Sequence, residues 1–217
     1  MARWYGRVSS GVVSDRSFVR FGGLAGILLA ITSWAAVASY YTVAKGGQDV
    51  VGLQVFRLLY GLIAFWALFG IVAVYWVVRP YGEAWSFFAT LSGVGASLGT
   101  ITSSLYGAAV IREVTARPAL QTPAATPTDP FSVMTFALTG LWFLIANLLL
   151  RKAAYPRLLV ALGFVAVVDL FVGFFAALSG NATVLTYAGI VAGTVGGPLY
   201  WLWLGLLLRR RSPPALA

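Results

Sequence analysis

The sequence predicts an all-α fold: a polytopic transmembrane bundle of six helices with both termini cytoplasmic. Three observations predict it. Six long apolar runs cover residues 21–43, 51–78, 85–111, 131–150, 158–178 and 183–208. Each has roughly the 20 residues that a helix rising 1.5 Å per residue needs to cross a 30 Å hydrocarbon core. Composition agrees, with 60 % hydrophobic and 10 % charged residues, where a soluble domain carries roughly 25 % charged residues. A soluble chain of this size has too little polar surface to cover so many apolar helices. Finally, the basic residues alternate between the two sides. Eleven (Arg3, Arg7, Arg16, Arg20, Arg79, Arg151, Lys152, Arg157, Arg209, Arg210 and Arg211) fall on one side and three (Lys45, Arg112 and Arg117) on the other. Positive residues stay cytoplasmic, which places both termini inside a cell (inner or plasma) membrane as a multi-pass protein.

Residues 1–20 form a basic cytoplasmic tail. Without an apolar core or a small-residue cleavage site they are not a cleaved signal peptide. Residues 21–208 form one transmembrane domain, and 209–217 a second cytoplasmic tail. Tyr40, Tyr41, Tyr75, Trp76, Tyr81, Trp85, Tyr155, Tyr200 and Trp201 fall near predicted helix ends, the depth that suits an apolar ring with a polar tip. The long polar segment 112–130 carries Pro118, Pro123, Pro127 and Pro130. It is expected to be an extended external connector, because proline removes a donor and fixes φ.

Small residues four apart lie on one helix face and admit a neighbouring backbone. Gly22 and Gly26 do so in the first run, Gly95 and Gly99 in the third, and Gly189, Gly193 and Gly197 in the last. The third and sixth helices are therefore expected to be central and tightly packed, with a kink in the last at Pro198. Ser97, Thr100, Ser103 and Ser104 make the third run rich in hydroxyls. These either bond back to their own helix or line a polar cavity. Thr135, Thr139 and Asn147 share a face of the fourth run, where Asn147 needs a partner from another helix.

Two charges inside the runs point to function. Arg57 lies near the outer end of the second, and Asp169 near the middle of the fifth. An ionised group in hydrocarbon costs at least ~2.5 kcal/mol at a helix centre, so it faces the bundle interior and finds a partner. The two sit within roughly 6 Å of one depth by helix rise. The reading is an Arg57–Asp169 ion pair with Gln54, Tyr60 or Asn147 nearby. It is either a buried clamp or part of a substrate or proton site.

The absences are informative. The chain has no cysteine and no histidine, so a thiolate metal site, a His-ligated haem, a Glu-x-x-His bundle metal site and a Ser–His dyad are all excluded. Of six carboxylates only Asp169 is well inside a run, which excludes an intramembrane aspartyl dyad. Gly93-Val94-Gly95 lies in mid-run and not after a strand, so it is no nucleotide loop. The net charge of +9 is scattered along the membrane edge. It points to anionic lipid heads rather than nucleic acid.

Three stretches, Tyr75–Phe88 (YWVVRPYGEAWSFF), Leu150–Leu162 (LRKAAYPRLLVAL) and Val167–Phe171 (VVDLF), resemble the uncharacterised bacterial membrane-protein family catalogued as domain of unknown function 4386. The resemblance implies the polytopic layout and marks Asp169 as the aspartate that the family tends to carry inside a helix. It implies no activity.

The expected function is that of a non-enzymatic integral membrane protein without cofactor or metal. It is expected to bind or transport a small solute through a cavity near Arg57 and Asp169. The residues expected at that site are Asp169, Arg57, Asn147, Ser103, Thr100 and Tyr60. The alternative is an accessory subunit of a larger membrane complex, whose partners are other membrane subunits beside the lipid bilayer. A glycine face turned outward to lipid would favour that alternative.

Overall fold

The computed structural model describes residues 9–116 and 130–210. The described residues form α1 (Ser9–Thr42), α2 (Val50–Val78), α3 (Glu83–Ala116), α4 (Pro130–Lys152), α5 (Arg157–Leu178), α6 (Ala182–Ile190) and α7 (Gly197–Arg210), with a π-helical stretch, Val191–Gly196, joining the last two. Six helical spans are long and apolar enough to cross a membrane, with α6, the π stretch and α7 together forming the sixth. Two ends of the expected layout differ. α1 starts at Ser9, inside the stretch read as a tail, because Phe18 and Val19 still have a core to join; Val19 is only 1 % exposed. α3 runs on through Arg112 to Ala116, as Pro118 is the first residue that forbids it. The rest of the proline-rich connector, 117–129, lies outside the described residues.

Short turns set the spans antiparallel. Asp49 caps α2 by accepting a hydrogen bond from the Gly52 amide at 2.8 Å, satisfying one orphan donor of the first turn. Asn181 is the cap of α6 and accepts from the Val184 amide at 3.1 Å. Between α2 and α3, Arg79 bonds Glu83 at 2.7 Å and sits over the rings of Tyr75 and Trp76 at 6.0 and 5.8 Å. Gly46 and Gly180, at φ 68° and 70°, turn the chain at the opposite end of the bundle, which we call the Lys45 end. The other is the Arg79 end.

Each span packs on the next, and α7 returns to α1, so the six close into a ring. The closure depends on two glycines. A Cβ on Gly23 would stand 2.7 Å from the Gly205 carbonyl oxygen, and one on Gly205 would stand 2.5 Å from that of Gly23. The two backbones touch. Gly26 continues the seam, its Cβ position 3.1 Å from the Trp201 carbonyl oxygen, while Gly22 abuts Ala73 on α2. Lipid tails are as apolar as the helices, so association rests on this close van der Waals fit rather than on hydrophobic exclusion.

The core fills the Arg79 half of the ring. Trp142 of α4 and Trp201 of α7 stack with centroids 5.2 Å apart and planes 6° from parallel. Phe143 meets Trp142 edge-on at 4.9 Å and lies 4.8 Å from Tyr200. Such contacts contribute ~0.5–1.5 kcal/mol each beyond area burial. Two glycines make room: the Cβ position of Gly70 lies 2.5 Å from the Trp201 ring, and that of Gly93 lies 2.7 Å from the Trp142 ring. Replacing Gly205 with leucine is expected to lower stability by about 3 kcal/mol, because backbone cannot move aside as a side chain can. Thermal unfolding in detergent reads this out. Gly189→Ala, at a position with no atom within 4 Å of its Cβ site, serves as the control and should leave the midpoint unchanged or raised.

Candidate functional site

At the Lys45 side of the aromatic core the ring surrounds a partly open cavity of about 260 Å³ to which all six spans contribute. It exists because the inward faces are small. Ala36, Ala67, Ala96, Ala166, Gly189, Gly193 and Gly197 turn toward the axis, and six helices in a ring leave a centre that such residues cannot fill. Its aromatic lining comprises Phe56, Tyr60, Phe136, Phe143 and Trp201, the last two continuous with the stacked core. The polar lining comprises Ser33, Ser97, Thr100, Thr135 and Thr139. Among the described residues no Asp, Glu, Lys or Arg lines it, and the Tyr60 phenol is the titratable side chain there.

The hydroxyls fall into two sets. Ser33 donates to the Leu29 carbonyl at 2.9 Å and Thr100 to that of Ala96 at 3.0 Å, which satisfies each within its own helix. Ser97 and Thr139, on the neighbouring helices α3 and α4, make no hydrogen bond to any described residue. Neither oxygen is sealed in protein: among the described residues the buried side-chain polar atom without a partner is Oδ2 of Asp169. Both hydroxyls therefore open onto the cavity and retain their full donor and acceptor capacity.

The π-helical stretch forms part of the wall for a backbone reason. Pro198 has no N–H, so the carbonyl four residues earlier, Thr194, loses its helical donor. Trp34 of α1 supplies one, its indole Nε1 donating to the Thr194 oxygen at 3.0 Å. Inside a membrane an unmet carbonyl costs several kcal/mol, so a neighbouring helix must meet it. The widened turn carries Gly193 onto the cavity. Gly189 and Gly193, expected to be close-packing positions, instead meet no atom within 4 Å of a Cβ position. The irregular turn holds that face off its neighbours. Gly197 also lines the cavity. Gly95 makes an ordinary contact, 3.5 Å from its Cβ position to Leu138 of α4, and Gly99 is buried.

Of the residues expected at a site, Tyr60 and Thr100 line the cavity. Ser103, one turn beyond Thr100, is buried but not in the lining. Asn147 is fully buried below it. Its Nδ2 donates to the Phe143 carbonyl at 2.7 Å, and its Oδ1 accepts from the Tyr200 hydroxyl at 3.3 Å. Gly163 of α5 lies directly against its amide. Asn147 thus joins three helices and faces no ligand. The Arg57–Asp169 pair does not form. α2 and α5 stand across the ring from each other, with α3 and α4 between them on one side. The Arg57 guanidinium lies along α3, with Nε 3.3 Å from the Cβ position of Gly107, and Gln54 beside it donates to the Ala108 carbonyl at 3.3 Å. Asp169 sits between Ala166 and Leu170 in sequence, and these two line the cavity while its carboxyl does not. Equal depth along the helix axis gave no information about position around the ring.

The cavity's own residues were partly legible. Thr135 and Thr139 show as a face four apart. Phe56, Phe136 and Trp201 carry no signal that separates a lining aromatic from a core one. Gly70, the seat of Trp201, could have been found as a glycine in an otherwise bulky span, whereas Gly93, the seat of Trp142, lies among other small residues and carries no such signal.

Fold and site together define a helical membrane bundle with an uncharged, hydroxyl-bearing central cavity. Comparison of the chain with protein-family models, with curated proteins and with solved structures finds no match.

The Trp34 bond can be tested by a double-mutant cycle. Trp34→Phe should cost about 0.5–1.5 kcal/mol in detergent, the range that double-mutant cycles give for interhelical hydrogen bonds in membranes. In a Pro198→Ala background, where residue 198 regains its N–H, the same change should cost markedly less. Equal costs in the two backgrounds would show that the indole acts through packing alone.

Proposed function

We propose that this protein binds, and in turn translocates, a small uncharged solute in the central cavity. The observation that carries this reading is a cavity built by all six spans in which two hydroxyls, Ser97 and Thr139, are left without protein partners. Binding sites are typically apolar concavities with a few placed polar groups. At about 260 Å³ this one is slightly below the roughly 300–1,000 Å³ that takes drug-sized ligands. A solute of a few polar atoms and one apolar or ring portion fits its lining. An ion does not, because a charge would lie in low dielectric with no opposite charge on the wall. The lining also lacks a carboxylate or other strong general base, which favours a binder or carrier over an enzyme.

The same proposal keeps the termini cytoplasmic, from the distribution of basic residues, and the bacterial inner membrane as the location. The resemblance to the family catalogued as domain of unknown function 4386 belongs to this proposal, as does a role for Asp169 as an ionisable group behind the cavity wall. The accessory-subunit reading stays as the alternative: Gly22, Gly23, Gly26 and Gly205 make their close contacts inside the ring, while Gly189 is exposed with no atom within 4 Å of its Cβ position.

Native mass spectrometry of gently purified protein tests the reading. A defined small molecule should remain bound, and Ser97→Val with Thr139→Val should reduce its occupancy by about tenfold or more, as expected for two lost hydrogen bonds. Gly193→Leu should exclude it by filling the cavity, with little loss of stability. Stoichiometric retention of other proteins with no small ligand would replace this function with that of a complex subunit. If Asp169→Asn leaves folding and ligand retention unchanged, that residue has no part in the site.

A further inference from the structure

We infer that the α1–α7 seam carries, at its Arg79 end, a binding site for the phosphodiester of an anionic phospholipid, gripped by Arg20 from one helix and Arg209 from the other. The site follows from the glycine crossing. A Cβ on Gly23 would stand 2.8 Å from Cγ of Arg209 and 3.1 Å from its backbone nitrogen, so Arg209 leaves α7 immediately beside α1. Arg20 is three residues before Gly23 on the same helix face, a rise of about 4.5 Å. Arg16 is one further turn out on that stripe. One arginine from each helix therefore belongs to the same end of one narrow seam, and in the proposed site the two share a single phosphate.

Among the described residues none pairs with them. Arg16, Arg20 and Arg209 are all exposed, and none makes an ion pair or hydrogen bond with a described residue. Glu83, the carboxylate at the α2–α3 turn of this end, is held by Arg79 at 2.7 Å. Like charges carried by both helices at one end of the seam weaken it unless an anion lies between them. The depth suits a lipid: these residues follow directly on the apolar spans, at the level of the headgroups, where the arginine fork matches a phosphate oxygen pair. A bound phosphodiester would act as the external counterion of the closure.

The test uses the full chain, delipidated in a neutral detergent. Thermal unfolding is followed on addition of phosphatidylglycerol, phosphatidylcholine or inorganic phosphate. Phosphatidylglycerol alone should raise the midpoint, by several degrees. Arg20→Gln with Arg209→Gln should weaken its binding by about tenfold or more, the equivalent of a lost charge-assisted hydrogen bond. Arg151→Gln with Arg157→Gln, which removes the same charge at the exposed α4–α5 turn, should leave it intact. Should the glutamine pair fail to fold, Arg20→Lys with Arg209→Lys keeps the charge and should still lose part of the affinity. Equal loss in the Arg151 and Arg157 control would reduce the effect to general charge attraction and overturn the site. An equal shift with inorganic phosphate would overturn the lipid as its source, and an equal shift with phosphatidylcholine would show that headgroup charge is not read.

Discussion

The contact between the Gly23 and Gly205 backbones is the constraint from which the rest follows. Six antiparallel spans with short turns pair in sequence order without further instruction. A row becomes a ring only if its ends meet, and here they meet backbone to backbone. That closure gives the molecule an inside. It sets the inward faces of all six spans around one axis, and because those faces are small, it leaves a central space rather than a solid core. The indole stack fills the half nearest the Arg79 turn, so the space is confined to the other half.

The last span shows how one residue reshapes such a space. Pro198 removes a single backbone donor, and the change spreads outward. The Thr194 carbonyl loses its α-helical donor, the helix widens by a π turn, and a tryptophan from the first span donates to that oxygen at 3.0 Å. The irregularity is thereby tied to the same pair of helices that closes the ring. Helical irregularity at membrane depth is tolerated where it borders protein or a cavity, and this stretch borders both.

The spans were legible because hydrophobic length is a strong local signal: each apolar run lies within one helical span or ends within a few residues of its end. The boundary errors, at Ser9 and Ala116, arose where helix continued past the hydrocarbon with nothing in the sequence to stop it. The site was legible in part. Hydroxyl richness marked the stretch of Thr100, periodicity identified the face of Thr139, and the fourfold glycine spacing identified the special face of the last span. Spacing could not say whether those glycines meet a helix or a void, because that depends on a π turn arising from one proline. The Arg57–Asp169 expectation used depth, which sequence supplies, and lacked azimuth, which depends on how the ring closes. Gly205 keeps the four-residue register of Gly189, Gly193 and Gly197, but Trp201 interrupts the series before it.

The indole seats have a consequence for the order in which the molecule is made. Gly70 and Gly93 are on the second and third spans; Trp201 and Trp142, which fill them, are on the last and the fourth. A chain synthesised from its N-terminus exposes its sockets before their plugs exist. The first three spans emerge as a notched half-ring that cannot fill its own notches. Trp142 closes the first when α4 arrives, and the second waits for the final helix to leave the ribosome. Assembly therefore completes only with full-length chain, and a polypeptide truncated before α7 retains an unfilled notch along α2 that marks it as unfinished.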